Sequence, residues 1–363
     1  MRRNRSSRRY GGRKPIISYV IGAAFLLVAV IFSIKGLSNS SAEPSPTPSQ
    51  DVIQPLPSET PGKASPFPSG GETPVPTPTS DPIPTAPLTS APSPTVPATS
   101  PAPVGNVRFE IRTMKQDDIY RGKLILINAN HPYRFIDFEN FVPLYNYKTD
   151  SYKVGDYELL FAEDAIAPLN SMLNDFYYYT GVNAVLAASG HRTYEYQQYL
   201  FDKEVALVGP EEAAIWVAKP GASEHHSGLA IDFAVYYDSG EYYEYDGTGE
   251  FAWINENCHK YGFIVRYKSE KKDITGIAYE PWHFRYLGIP HASKVTELGL
   301  CYEEYVDYLR DYSYDSPLTI ETDGGEVYKT YYCEGLNVYV PKNIDYEISG
   351  NNIDGFIVTY KSS

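Results

Sequence analysis

Three side chains of the types that bind zinc lie in two short segments, with a further carboxylate beside one of them. His225 and Asp232 belong to S-E-H-H-S-G-L-A-I-D, and Glu280 and His283 belong to E-P-W-H. Two imidazoles and one carboxylate hold zinc while leaving a fourth position open for water. A second carboxylate beside that water, here Glu280, is what metal-assisted hydrolysis requires. Because the chain has only seven histidines, their concentration in these segments predicts a hydrolytic zinc centre.

Two neighbours of His225 allow more than one interpretation. Glu224 is a competing candidate for the catalytic base, although a capping or solvent-facing role is favoured. His226 is either a partner that orients a ligand from behind or a packed side chain. Structural roles are expected for the remaining histidines, which are His131, His191, His259 and His291.

The approach of Glu280 to His283 depends on the local backbone. Pro281 follows Glu280 directly, and a residue before proline is disfavoured in helical geometry. We therefore expect these two side chains to converge through an irregular turn rather than on one face of a helix.

Helix and strand patterns surround the motifs. Apolar spacing predicts a helix that ends before Gly181. Helices are also predicted at 193–205 and 251–261, and strands at 122–128, 182–188, 229–235 and 263–267. Because these elements lack regular βαβ spacing, the predicted fold is α+β, a small mainly antiparallel sheet flanked by helices with the zinc site.

The C-terminal residues 317–363 have a different pattern. Short alternating segments separated by glycine-containing turns predict a small all-β extension, which follows a predicted peptidase domain at 105–316. Its tyrosines could stack on sugars of a wall ligand, but a packing extension of the main domain is favoured. The tyrosines in question are Tyr328, Tyr331, Tyr332 and Tyr339.

The N-terminal residues predict a membrane attachment. Residues 1–15 carry seven basic side chains and no acid, and residues 16–34 form an apolar run. This pattern predicts a basic cytoplasmic tail and one transmembrane helix. A cleaved signal peptide is the alternative, since Ser40-Ser41-Ala42 resembles a cleavage site.

Residues 35–104 are expected to be a disordered spacer. The segment from Ser41 to Gly105 holds 19 of the 29 prolines, with many Ser and Thr residues, and such a composition cannot bury enough apolar surface to fold. The folded part could then work away from a membrane, on the cell-wall side.

Charge excludes one class of partner. Of the 31 Lys and Arg residues, seven lie within residues 1–14, so the rest of the chain has 24 against 45 Asp and Glu. A surface this acidic disfavours nucleic acid.

The cysteines give little support to a disulfide framework. Cys258, Cys301 and Cys333 lack metal-ligand spacing, and scattered buried or free thiols are favoured. A bond between Cys301 and Cys333 is the alternative in an oxidising compartment.

Four segments together resemble the VanY-type D-alanyl-D-alanine carboxypeptidases, which are bacterial cell-wall zinc peptidases of the VanY/Hedgehog-type superfold. They are S-G-H-R-T-Y-E-Y-Q, S-E-H-H-S-G-L-A-I-D, W-I-N-E-N-C-H-K-Y-G-F-I-V-R-Y and E-P-W-H-F-R-Y-L-G. The resemblance spans residues 122–288 and leaves the C-terminal extension outside. It departs at His191, where the family usually has Tyr, and at His226, where Gln is frequent.

The resemblance implies a role for each site residue. His225, Asp232 and His283 would bind Zn²⁺, and Glu280 would be the general base. Arg192 would stabilise the developing oxyanion and contact the substrate, with Gln197 and Ser223 gripping its terminal carboxylate.

The implied activity is removal of the terminal D-Ala from peptidoglycan stem peptides. An L,D-carboxypeptidase or a D,D-dipeptidase of the same superfold is an alternative, because these enzymes differ in pocket shape rather than in metal ligands. A non-catalytic wall-binding protein is a third possibility, and retention of Glu280 with all three ligands argues against it.

Overall fold

The computed structural model describes residues 101, 103–135 and 140–362. These residues belong to one of the two compact units of the chain. The predicted basic tail, transmembrane segment and nearly all of the predicted spacer lie outside the described residues. Within the described part, none of the helices combines the length and apolarity needed to cross a membrane.

A six-stranded sheet forms the centre of the peptidase region. Five strands follow the order β3-β5-β6-β9-β8, and β7 pairs with β6 beyond this path. Only the β3–β5 pairing is parallel, so the prediction of a mainly antiparallel sheet with flanking helices is confirmed. The strands are β1 (Phe109–Thr113), β2 (Phe141–Pro143), β3 (Lys153–Val154), β4 (Leu160–Ala162), β5 (Val185–Ser189), β6 (Ala230–Tyr236), β7 (Tyr242–Glu244), β8 (Phe263–Tyr267), β9 (Glu280–Tyr286), β10 (Leu318–Glu321), β11 (Val327–Glu334), β12 (Asn337–Pro341), β13 (Tyr346–Gly350) and β14 (Gly355–Lys361).

Helices cover the sheet and connect its strands. The predicted helix before Gly181 is present, and its core-facing side chains Ile166, Leu169, Leu173 and Phe176 are all buried. It ends where Gly181 adopts φ 72°, a left-handed conformation that favours glycine. The helices are α1 (Glu163–Thr180), α2 (Tyr194–Val208), α3 (Pro210–Trp216), α4 (Ala252–Asn257), α5 (Lys272–Thr275), α6 (Ile289–Leu298) and α7 (Tyr302–Leu309).

The strand predicted at 122–128 is wrong. Leu124 and Leu126 are buried in the core as the pattern indicated, but the segment pairs with no strand. Its backbone groups bond to side chains and to loop carbonyls such as that of Asn351 instead. The guanidinium of Arg285 donates to the carbonyls of Lys123 and Ile125, and the amide of Asn352 donates to the Leu126 carbonyl. This apolar segment is therefore stable without pairing to a strand, because its buried backbone N–H and C=O groups have other hydrogen-bond partners.

The all-β C-terminal sheet is present, in the order β10-β11-β14-β13. Its core also takes in residues from before the central sheet. Strand β1 pairs antiparallel with β12, with Phe109 opposite Pro341, and Phe109 packs in the same cluster as Val340 and Val358. The extension is thus built from both ends of the described chain.

The tyrosines of the extension are engaged in packing. Tyr331 is fully buried and donates to the Tyr339 carbonyl. The Tyr332 hydroxyl donates to Asp354, and the Tyr339 ring stacks on Tyr314 with centroids 4.1 Å apart. These contacts support the packing interpretation of the extension.

The cysteines follow the favoured expectation. Cys258, Cys301 and Cys333 are buried free thiols, so the alternative pairing of Cys301 with Cys333 is not formed. Burial raises the pKa of all three thiols to about 11 or 12, which keeps them in the unreactive protonated form.

Candidate metal centre and active site

The three predicted ligands meet where two neighbouring strands face a tight turn. Asp232 on β6 lies directly opposite His283 on β9, and directly opposed residues of an antiparallel pair are close neighbours. His225 lies in the turn Glu224–Ser227, which ends at Gly228 with φ 66°. A Cβ at Gly228 would approach Phe141 to 2.5 Å, so glycine is required for this turn. One ligand atom from each residue lies within 4.8 Å of the others.

The geometry of these atoms fits a metal ion. His225 Nε2 lies 3.1 Å from Asp232 Oδ2, and His283 Nδ1 lies 2.9 Å from Asp232 Oδ1. His225 Nε2 and Asp232 Oδ1 are both buried, and neither makes a well-aligned hydrogen bond to a described residue despite these short distances. Buried polar atoms without partners are costly, and a cation between them would satisfy both. The two-imidazole, one-carboxylate donor set suits zinc.

A hydrogen bond from Nδ1 of His225 leaves its Nε2 available to a metal. Nδ1 lies 2.6 Å from the Gly190 carbonyl, to which it donates, so Nε2 carries the lone pair that a metal needs. Burial, with the nearby charge of Arg192, lowers the pKa of His225 to about 4. The imidazole is therefore neutral near pH 7.

The pKa values of Asp232 and His283 depend on burial and on their charged neighbours. Burial opposes ionisation of Asp232, but His225 and Arg192 hold its pKa well below the usual range. Burial likewise opposes protonation of His283, but Asp232 and Glu224 raise its pKa to about 9.

Glu224 is fully buried, so the interpretation as a capping or solvent-facing residue is wrong. Its Oε1 accepts hydrogen bonds from Arg266 Nε at 2.9 Å and lies 3.0 Å from Arg285 Nη1. Burial opposes ionisation, but these two guanidinium groups hold the pKa of Glu224 well below the usual range. Its second oxygen lies 3.6 Å from His283 Nε2. Glu224 therefore lies close to the Nε2 side of the predicted ligand His283 without a hydrogen bond to it.

Glu280 lies beside the ligands on the strand that carries His283. Its Oε2 is 3.8 Å from His283 Nδ1. Tyr267 pairs with Glu280 whereas Val265 pairs with Phe284, so β9 contains two extra residues between these pairs. The expected irregular turn is in fact a bulge within a strand, and it brings both side chains to one pocket. Burial, with the charge of Asp232, raises the pKa of Glu280 to about 8.

Arg192 is fixed by three contacts. Its Nη2 donates to Asp232 at 2.6 Å, its Nε to Ser189 at 2.9 Å and its Nη1 to Gln197 at 3.3 Å. A guanidinium has five N–H groups, so one remains on each terminal nitrogen for a substrate. Gln197 in turn donates to the Ala218 carbonyl at 2.7 Å.

His226 supports the backbone around this arginine. Its Nδ1 donates to the Arg192 carbonyl at 2.8 Å, and its Nε2 accepts from the Gly221 amide at 3.0 Å. Burial lowers the pKa of His226 to about 4. Because both ring nitrogens are occupied, His226 holds two loops together rather than binding a metal.

One pocket contains all seven site residues predicted from the sequence. Arg192, Gln197 and Ser223 line it together with Glu280 and the three ligands. Tyr196, Tyr267 and Trp282 also line it and lie within the quoted motifs, but no site role was predicted for them. The wall further includes Leu200, Glu204 and Trp216, which lie outside the motifs. Helical spacing from Gln197 could have indicated Leu200 and Glu204, since residues three and four apart share a helix face.

Comparisons with known proteins show a family to which this sequence is similar. A sequence model of VanY, described as D-alanyl-D-alanine carboxypeptidase, matches residues 160–289. A D-alanyl-D-alanine carboxypeptidase of Enterococcus faecium is 33% identical over 254 residues, which cover 68% of this chain and 78% of the relative.

Two solved structures are also similar to this chain. The vancomycin-resistance D,D-dipeptidase VanXYg, in complex with a D-Ala-D-Ala phosphinate analog, is 30% identical with a TM-score of 0.63. The match covers 70% of this chain and 99% of that one. A mutant of the D,D-pentapeptidase VanY from a VanB-type resistance cassette, in complex with Zn(II), is 34% identical over 51% of this chain and 98% of its own, with a TM-score of 0.42.

Proposed function

This chain belongs to the VanY family of D-alanyl-D-alanine carboxypeptidases, and we propose that it removes the terminal D-Ala of peptidoglycan stem peptides with a zinc ion held by His225, Asp232 and His283. The observation that carries the proposal is the convergence of three buried ligand atoms within 4.8 Å, with Glu280 in the same pocket. A bound zinc would supply Lewis acidity, which polarises a peptide carbonyl and makes a water molecule nucleophilic near neutral pH.

Glu280 acts as the general base in this proposal. It accepts the proton of the attacking water and passes it to the departing amine. Burial raises the pKa of Glu280 to about 8, which opposes ionisation. A nearby dication favours the ionised form, so the carboxylate becomes a competent base when the site is loaded.

Arg192 stabilises the reacting carbonyl oxygen or holds the terminal carboxylate. Its contacts with Asp232, Ser189 and Gln197 fix the plane of the guanidinium and leave two N–H groups for substrate. Gln197 and Ser223 line the same pocket and bind the free carboxylate together with Arg192. Recognition of this group is what distinguishes a carboxypeptidase from an endopeptidase.

A D,D-dipeptidase activity is the second candidate. The observation that favours it is the similarity to VanXYg, a D,D-dipeptidase, over nearly the whole length of that protein. The two activities differ in whether the free dipeptide D-Ala-D-Ala or only a longer peptide is cleaved.

A substrate panel tests these proposals. The purified protein is incubated with a stem pentapeptide, the same peptide amidated at its C-terminus, a stem tetrapeptide and free D-Ala-D-Ala, and the products are weighed by mass spectrometry. We expect loss of one D-Ala from the free-acid pentapeptide and little cleavage of the amide. Equal cleavage of both pentapeptides would contradict carboxypeptidase specificity, and cleavage of the tetrapeptide alone would indicate an L,D-carboxypeptidase.

We also propose that residues 16–34 anchor the protein as a single pass in a bacterial membrane, with the catalytic domain on the cell-wall side. The proposal rests on the apolar residues 16–34 and on the basic residues that precede them. Cell fractionation tests it. The full chain should remain with membranes after a high-salt wash, and a variant without residues 16–34 should not. Release of the full chain by salt would contradict the anchor.

A further inference from the structure

The active-site pocket contains another buried carboxylate that takes no part in the proposed hydrolysis. Glu204 on α2 is only 4% exposed and lines the same pocket as Arg192 and the metal ligands. Its carboxylate has no hydrogen-bond or ion-pair partner among the residues that the structure describes. Its oxygens are not among the enclosed polar atoms that lack a partner, so they keep some exposure, and the residue lines the pocket.

The position of Glu204 follows from helical geometry. Gln197, Leu200 and Glu204 lie on one face of α2, and at about 1.5 Å per residue Glu204 is about 10 Å beyond Gln197 along the helix. The neighbouring wall is apolar, because Leu200, Trp216 and Ile277 line it. A substrate gripped at Gln197 could therefore extend an aliphatic chain past apolar surface towards this carboxylate.

Leaving a carboxylate unpaired in such a place has a cost. Burial raises the pKa of Glu204, although the charge of Lys203 opposes the shift. A buried charge is stable only when it is paired or hydrogen-bonded. A ligand that brings a positive charge would remove this cost, whereas an apolar or anionic group would not.

We propose that Glu204 is a specificity-determining residue that binds an aliphatic ammonium group of the peptide substrate. The inference rests on the proposed function, since it names a further feature of the same substrate. Two positions on a peptide can supply this chemistry. One is the side-chain amine of a diamino acid at the third residue of the stem, and the other is an amine on the side chain of the C-terminal residue.

The first source would have a consequence for the cell wall. An amine that has been acylated in a cross-link carries no charge and cannot pair with Glu204. The protein would then select stems that are not cross-linked.

Matched peptides separate the two sources. One pair of stem pentapeptides ends in D-Ala-D-Ala and has L-lysine or L-norleucine at the third residue. A second pair keeps L-norleucine there and ends in D-lysine or D-norleucine. Norleucine retains the aliphatic chain without the amine. The ratio of kcat/KM within each pair is measured for the wild type, for Glu204→Gln and for Glu211→Gln. Glu211 is exposed on the neighbouring helix α3, so its variant has the same charge change outside the pocket.

In one pair, the wild type and Glu211→Gln should prefer the amine-bearing peptide by about 10-fold to 100-fold, the range of a charge-assisted contact. Glu204→Gln should lose that preference while still cleaving the norleucine peptide, which shows that the variant is folded. Its midpoint of thermal unfolding should not fall, because an unpaired buried charge has been removed. Equal preference in wild type and Glu204→Gln for both pairs would overturn the role of Glu204. Failure of the wild type to cleave any peptide would instead contradict the proposed function.

Discussion

At the scale of single residues, the chemistry depends on Glu280 and His283, which are three positions apart on one strand. Such a spacing puts side chains on opposite faces of a regular strand. The two extra residues in β9 bring Glu280 Oε2 to 3.8 Å from His283 Nδ1. The bulge therefore places the proposed base beside a proposed metal ligand without a helix.

The base assignment makes a direct prediction. Glu280→Gln keeps the shape of the side chain but removes the proton acceptor, so turnover should fall by roughly 10²–10⁴. Zinc should remain bound, since Glu280 is not a ligand. Metal analysis and steady-state kinetics on one preparation check both points. Near-normal turnover with full zinc content would assign the base role elsewhere.

The sequence predicted the three side chains that meet at the candidate metal site, but not all of their surroundings. His225, Asp232 and His283 were recognisable because few residue types bind zinc and histidine is scarce. The burial of Glu224 was not recognisable, because its partners Arg266 and Arg285 lie about 40 and 60 residues away in the chain. Nothing in the local pattern distinguishes a buried glutamate with distant arginine partners from a glutamate at the surface.

At the scale of elements, a buried ionic network connects the candidate metal site to helix α7. Arg266 on β8 bonds Glu224 on one side and Glu303 on α7 on the other, at 2.9 and 2.7 Å. Arg285 on β9 lies 3.0 Å from Glu224 and donates to the carbonyls of Lys123 and Ile125. The network holds the turn that carries His225 in place. It also lies next to the Nε2 side of His283.

Glu224→Gln should destabilise the protein strongly. Removing one charge leaves two buried guanidinium groups less well paired, a change that costs about 3–5 kcal/mol in buried ion pairs. The free energy of unfolding from urea titration measures this. Glu326→Gln is the control, because Glu326 pairs with Lys361 at the surface and exposed pairs contribute at most about 1 kcal/mol. Equal losses in the two variants would contradict a stabilising role for the network.

At the scale of the whole molecule, the C-terminal sheet and the peptidase region are joined by buried contacts. Asn352 donates to the carbonyls of Leu126 and His131. His291 on α6 contacts the Tyr305 hydroxyl through Nδ1 and the Thr359 hydroxyl through Nε2, both at 2.9 Å. Strand alternation predicted the C-terminal sheet, but the pairing of β12 with residues 109–113 was not predictable, because pairing over more than 200 residues leaves no local signal.

His291 makes stability depend on pH. Burial, with the charge of Lys123, lowers its pKa to about 3 in the folded protein, against about 6.5 in an unfolded chain. Its contribution to stability is therefore complete above about pH 6.5 and is lost as pH falls towards 3, because only the unfolded state takes up the proton. Between pH 6 and 4, the unfolding free energy of His291→Gln should fall less steeply than that of the wild type, by up to about 1.4 kcal/mol per pH unit. Parallel slopes in urea titrations would contradict this.

The central claim is that His225, Asp232 and His283 hold one catalytic zinc ion, and the metal content of His283→Ala tests it most directly. The wild type and His131→Ala, whose imidazole lies outside the site, should each bind close to one zinc per chain after dialysis against a weak chelator. His283→Ala should lose both the zinc and the release of D-Ala while retaining a cooperative unfolding transition. Full zinc occupancy in folded His283→Ala would contradict the ligand assignment and the mechanism built on it.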